Sequence, residues 1–187
     1  YAGSGAAADD ARLLDPAMAQ VEEGAAVSWR GPMLHRTMQQ FVTDVFWGDL
    51  DVLLLDLPPG TGDIAISLAQ LVPTSQLVVI TTPQAAAAEV AERSGAVALQ
   101  TRQSLVGVVE NMSWLPQPDG SRLELFGAGG GAKVAEGLSK ASGTEVPLLG
   151  QVPLDVALRE GGDSGTPVVL ADPESPAASA LREIARG

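Results

Sequence analysis

The chain contains no cysteine. Disulfides, thiolate zinc sites and iron–sulfur clusters held by its own thiolates are therefore excluded. No apolar run reaches the length of a membrane-crossing helix, and no basic-then-apolar leader opens the sequence. The expectation is a soluble, cytoplasmic protein with no membrane partner. Histidine occurs once, as His35. It sits on the flank of an amphipathic segment with no second ligand type at metal spacing, so it reads as a surface or boundary residue, and no Ser/His/Asp set is readable. Cationic residues are scarce: 11 Lys and Arg face 23 Asp and Glu, a net charge of −12. Such a chain repels phosphates in general, which argues against a nucleic-acid partner, although the charge within one site can differ from the total. The phosphate-cradling loop G-x-x-x-x-G-K-[ST] is absent, and there is no internal repeat.

What is present is a globular composition. The chain has 187 residues, 45% of them apolar, enough for one domain with a substantial core. Residues 1–20, rich in Ala, Gly and Asp, read as a poorly ordered tail with at most a helical turn near Arg12–Leu14. From Val21 the pattern changes. Pro32 suits the first turn of a helix, and Leu34, Met38, Phe41, Val42, Val45 and Phe46 follow at helical spacing, with Gly48 and Asp49 ending it. Trp29 and Trp47 bracket this helix and are expected to pack against core or partner.

The unbroken apolar run Val52–Leu55 predicts a strand buried on both faces. A helix over Asp63–Leu71, a strand over Leu77–Thr81, a long Ala-rich helix over Gln84–Gln103 and a strand over Leu105–Val109 follow. Residues 114–125 read as a loop or loose hairpin. A glycine-rich stretch then enters a helix ending near Lys140, followed by a strand over Leu148–Gln151 and a short helix over Leu154–Glu160. An edge strand over Val168–Leu170 and a final helix over Ser175–Arg186 close the chain. Strands alternating with helices predict an α/β fold, a mostly parallel sheet with helices on both faces. Ligands of such sheets sit at the carboxyl ends of the strands, where Asp56, Thr81-Thr82, Asn111 and Gln151-Val152 would fall.

The stretch Asp51-Val-Leu-Leu-Leu-Asp56-Leu-Pro58-Pro59-Gly60-Thr61-Gly62-Asp63 carries the most chemistry. A carboxylate ending a buried strand costs free energy unless it is paired, hydrogen-bonded or facing a metal. Asp56 is placed either to hold a magnesium-bound water, with Gly60 offering its N–H to a terminal phosphate, or to tie off its own turn. Asp63 reads as an N-cap. The hydroxyls of Thr81 and Thr82 are expected to cap the helix that follows. Asn111, just past a strand, either reads a base edge through its amide or forms a turn. Gly127-Ala128-Gly129-Gly130-Gly131, with Lys133 nearby, has the look of an anion loop; lacking a clear preceding strand and the G-x-G-x-x-G spacing, it reads rather as a flexible loop with close backbone packing.

Several motifs together resemble one family. They are Trp29-Arg30-Gly31-Pro32-Met33-Leu34-His35, Thr43 to Asp51, Asp56 to Asp63, Thr81-Thr82-Pro83-Gln84, Glu110-Asn111-Met112-Ser113, Phe126 to Gly131, Val152-Pro153-Leu154-Asp155 and Arg159 to Gly165. Over residues 21–187 the chain resembles the carboxy-terminal part of the Mrp/ApbC-like ATPases, iron–sulfur cluster carriers within the MinD/ParA group of P-loop proteins. The resemblance implies ATP and Mg2+ as cofactors, a homodimer holding a [4Fe–4S] cluster between subunits, and apo iron–sulfur proteins as clients. It implies that Asp56 is the acid on the magnesium water and Gly60 the γ-phosphate sensor. It implies that Asn111 recognises adenine, aided by the backbone of Val152, Pro153 and Asp155.

Two features depart from that pattern. The phosphate loop and its strand, central in this fold, are not in the sequence, so the domain is expected to be incomplete at its N-terminus with apolar strand edges open, and ATP hydrolysis by these residues alone is not expected. Leu115-Pro116-Gln117-Pro118-Asp119-Gly120 occupies the stretch where many members carry a Cys-x-x-Cys pair; any cluster must take its ligands from elsewhere. A non-catalytic dimerisation or scaffold module derived from the same family is the alternative.

Overall fold

The computed structural model describes residues 13–14, 31–57 and 63–187. The chain divides into two compact units, Tyr1–Pro73 and Thr74–Gly187.

In the first unit, strand β1 (Leu13–Leu14) pairs in parallel with β2 (Leu54–Leu55), Leu13 opposite Leu54 and Leu14 opposite Leu55. The helical turn expected near Arg12–Leu14 is thus extended backbone at Leu13–Leu14. Helix α1 (Gly31–Asp44) packs against α2 (Asp63–Leu71). Met38 and Phe41 of the first and Leu68 and Ala69 of the second are buried. The Trp47 ring meets Phe41 edge-on, with centroids 5.3 Å apart, a favoured aromatic geometry. Trp29 lies outside the described residues.

Two further expectations fail in this unit. Helix α1 stops at Asp44, so Val45 and Phe46 leave its apolar face and Phe46 is 89% exposed. The strand before Asp56 is not buried on both faces, since Val52 and Leu54 are each more than half exposed. A ladder two residues long and two strands wide covers too little backbone to bury a face.

The second unit is built on a parallel sheet of order β3–β4–β7, from β3 (Gln76–Thr81), β4 (Ser104–Glu110) and β7 (Leu148–Gln151). Helix α3 (Ala85–Gln100) crosses from β3 to β4, and α4 (Gly130–Ser142) precedes β7. One face of the sheet buries Val79 and Val108 against Ala88 and Ala91 of α3 and Val134, Ala135 and Leu138 of α4. The other buries Val109 and Val152 with Ala177, against Leu181 and Ile184 of α7 (Pro176–Arg186). Small residues at Ala88, Ala91, Gly95 and Ala98 give α3 a flat buried stripe, which lets α4 approach closely.

Between β4 and α4, β5 (Leu115–Pro116) and β6 (Arg122–Leu123) form the expected hairpin, with the Arg122 guanidinium 4.0 Å from the Trp114 ring centre. Helix α5 (Val156–Ser164) follows β7. Val168–Leu170, read as an edge strand, belongs instead to a short helix, α6 (Val168–Ala171). Pro167 and Asp172 bound it, Leu170 and Ala171 bond back to Pro167 O, and buried Val168 anchors it. Tertiary packing here overrides the β-branched preference of two valines. Among the described residues no helix is long and apolar enough to cross a membrane.

Candidate functional site at the carboxyl edge of the sheet

The ends of β3, β4 and β7 meet at one rim, tied by backbone hydrogen bonds that run past the strands. Asn111 N–H donates to Thr81 O at 2.8 Å, Val152 N–H to Glu110 O at 2.8 Å, and Ser113 N–H to Val152 O at 3.0 Å. Asn111 and Val152, the first residue of the segment that the resemblance assigns beside it, therefore lie on one rim. Val152 and Pro153 are buried, while Asn111 and Asp155 are half-buried.

Asn111 takes up the turn-forming one of its two sequence readings. Its side-chain Oδ1 accepts Met112 N–H at 2.9 Å, a local turn bond. The carbonyl oxygen retains a second lone pair, and Nδ2 makes no hydrogen bond among the described residues. The amide can thus still donate to and accept from a ligand edge, the pattern by which an asparagine reads adenine. Met112 stands in the left-handed region at φ 55°, a conformation that non-glycine residues seldom adopt and that clusters at functional sites. Thr82, one residue beyond Thr81, has a buried Oγ1 with no hydrogen-bond partner among the described residues. An orphaned hydroxyl and an unsaturated amide on one rim fit a polar ligand. Asp155 has a structural duty as well: its Oδ1 accepts Ala157 N–H at 2.7 Å and caps α5.

Sequence reasoning missed the buried carboxylate beside Asn111. Glu110 is 1% exposed, yet Oε2 accepts Gly131 N–H and Oε1 accepts Gln151 Nε2–H, both at 2.7 Å. A charge so placed is tolerable because both contacts are strong and one comes from the N-terminal turn of α4, where the helix dipole favours an anion. The signal lay in the strand itself, an acid following Val108-Val109 with no turn residue before it. This carboxylate also settles the glycine-rich stretch. A Cβ on Gly130 would lie 2.6 Å from the carbonyl oxygens of Thr82 and Pro83, and one on Gly131 would lie 2.8 Å from Glu110 Cβ. The glycines serve close backbone packing, as expected, and the helix N-terminus already holds an acid of its own.

The expected hydroxyl caps on α3 are not formed. Its N-cap is Gln84 without a side-chain bond, and Thr81 Oγ1 turns to Thr82 O at 3.3 Å. Asp56 lies in the first unit, directly after β2, and is exposed. The desolvation argument for its function therefore loses its premise, because the strand it ends is itself open to solvent. Gly60 lies outside the described residues. No group of three or more acidic or histidine side chains is gathered as metal ligands among the described residues. An open groove of about 480 Å³ between α3 and α4 is lined by Glu89, Glu92, Arg93, Ala96, Gly137, Leu138 and Ala141. It holds no strand-end residue and no constellation of reactive groups.

A parallel sheet covered by helices on both faces, with convergent polar groups at its carboxyl rim, defines an α/β protein of the class whose ligands bind at that rim. Comparison with known proteins narrows this. The family described as ParA, NUBPL iron-transfer P-loop NTPase, matches residues 13–187, and the chain belongs to it. It is 67% identical over 166 residues to an iron–sulfur cluster carrier protein of Mycobacterium leprae, a match covering 89% of this chain and 43% of that protein. The chain thus spans less than half the length of that relative. Among solved structures it is similar to a nucleotide-binding protein from Archaeoglobus fulgidus in complex with ADP, at 32% identity and a TM-score of 0.63, covering 77% of this chain and 56% of the other. The septum site-determining protein MinD from Pyrococcus horikoshii shares the fold at 22% identity and a TM-score of 0.57, covering 86% of this chain and 59% of MinD.

Proposed function

We propose that residues 21–187 form the carboxy-terminal part of a single P-loop NTPase domain that binds ATP with Mg2+ and serves iron–sulfur cluster transfer. In this reading Asn111 addresses the adenine edge, the backbone at Val152, Pro153 and Asp155 walls the base, Asp56 holds the magnesium-bound water, and Gly60 meets the γ-phosphate. The observation that carries it is the union of Asn111 with Val152–Asp155 at one sheet edge, in a chain whose family is an iron-transfer NTPase. The ADP complex of the Archaeoglobus relative supports the choice of ligand.

The charge stabilisation of phosphoryl transfer comes mostly from a phosphate loop and its lysine, which these residues do not contain. A [4Fe–4S] cargo would need thiolates from another polypeptide segment, because this sequence has none. A homodimer, cytoplasmic location and apo-protein clients complete the proposal. Calorimetric titration of the 187-residue chain with Mg-ATP tests it. Saturable, magnesium-dependent heat is the expected result. No heat from ATP, with dimerisation intact, would favour the scaffold module instead.

A further inference from the structure

We infer that Glu110 is a positioning residue for the Asn111 edge, an inference resting on the nucleotide reading above. The carboxylate spans two directions at once. It takes the N–H of Gly131 at the start of α4 and the side-chain amide of Gln151 at the end of β7. The backbone oxygen of the same residue accepts Val152 N–H and, at 2.9 Å, the buried Ser113 hydroxyl. Every bond converges on the residue that immediately precedes Asn111. The turn that follows is one the chain would not hold by itself: Met112 has positive φ, and such a conformation persists only where its surroundings over-determine it. Here the surroundings are Asn111 Oδ1 on Met112 N–H, Val152 O on Ser113 N–H, and Glu110 beneath both. The amide of Asn111 is thereby presented in one geometry, and preorganisation of this kind separates a selective site from a loose one.

Why a carboxylate stands here follows from donor counting. Gly131 and Gln151 both present N–H groups, so the residue between them must offer two acceptors. Glutamine at 110 still fits if the Gln151 amide turns over, giving one acceptor to Gly131 and one donor to Gln151. Alanine offers nothing. Glu110→Ala is therefore expected to release the turn and Glu110→Gln to hold it.

Hydrogen exchange of the full chain, read amide by amide, is the decisive experiment. Glu110→Ala is expected to speed exchange at Met112 and Ser113 by about tenfold or more, with the α3 amides of Val97–Gln100 unmoved and Glu110→Gln close to the unsubstituted chain. Should Glu110→Ala fail to fold, Gln151→Ala removes one arm of the clamp and is expected to loosen the same two amides. Unchanged exchange there, or uniform acceleration across Thr74–Gly187, overturns the inference. In parallel, the preference for Mg-ATP over Mg-GTP is expected to fall about tenfold in Glu110→Ala, one hydrogen bond's worth, and to return in Glu110→Gln. An equal loss of both nucleotides marks a purely structural role and overturns the inference. If the unsubstituted chain binds neither nucleotide, the nucleotide reading itself fails, while the exchange data still decide whether Glu110 holds the turn.

Discussion

Gly95 in α3 lies directly beneath Leu138 of α4: a Cβ built on the glycine would sit 2.4 Å from Leu138 Cδ2 and 3.2 Å from its Cγ. Leu138 is buried, so its side chain must shift to admit a methyl at 95. Replacing an interior helical glycine by alanine ordinarily gains up to about 1 kcal/mol. Here overpacking costs about 1–3 kcal/mol, so Gly95→Ala is expected to lower stability by about 1 kcal/mol in urea unfolding. Leu138→Ala, costing about 2–5 kcal/mol alone, should cost less when combined with Gly95→Ala, because the methyl enters the space the leucine leaves. A more stable Gly95→Ala protein would contradict the packing described.

Asp155 caps α5, and this separates its side chain from any ligand role of its backbone. Asp155→Ala is expected to lose about 1 kcal/mol, while Asp155→Asn keeps the cap and most of the stability. Thermal unfolding checks the pair. If Mg-ATP affinity falls in the alanine variant but stays in the asparagine variant, the cap also serves the site by fixing the chain at Val152–Asp155.

Two exposed carboxylates titrate low for local reasons. Lys140 donates to Glu136 at 2.6 Å and, through that hydrogen bond first and its charge second, holds Glu136 below the usual glutamate value. Ser121, through its hydroxyl at 2.6 Å and then its N–H, does the same for Asp119. A folded-state value below the unfolded one stabilises the protein at higher pH, and that contribution is lost as pH falls through the folded value. Both pairs are solvent-screened, so the effect belongs to titration curves rather than to global stability. Carboxyl-carbon NMR should show the Glu136 midpoint rising in Lys140→Met and the Asp119 midpoint rising in Ser121→Ala. An unmoved midpoint in either variant would remove the assigned cause.

Elements in both units were legible where their signals are local. Asp63–Leu71 and Leu148–Gln151 have the bounds that periodicity gives, and Ser175 caps α7 by accepting Ala178 N–H. Legibility ended where neighbours decide. Val168 and Val169 look like strand residues, and only the packing around buried Val168 makes them helical. Val52–Leu55 looks like a central strand, but burial requires covering layers that a two-residue ladder does not supply. Of the site, Asn111 and Gln151-Val152 could be named from strand ends, whereas Pro153 and Asp155 came only with the family resemblance. Glu110 could not, since its partners Gly131 and Gln151 are 21 and 41 residues away in sequence.

Catalysis and cluster binding provide a prediction from composition. Single-turnover experiments with Mg-ATP are expected to release no phosphate from this chain, as no lysine-bearing loop is present to stabilise the transferring group. Incubation with iron and sulfide is expected to leave no brown protein-bound chromophore, as there is no thiolate to hold it. Metal-dependent phosphate release would contradict the first expectation, and a stable chromophore the second.

The most direct test of the site is a map of backbone amide shifts as Mg-ATP is added to the chain. Shifts concentrated at Asn111, Met112 and Val152–Asp155, and reduced in Asn111→Ala, are what the account predicts. Shifts confined to the α3–α4 groove at Glu89, Arg93 and Gly137, or none at saturating nucleotide, would contradict it.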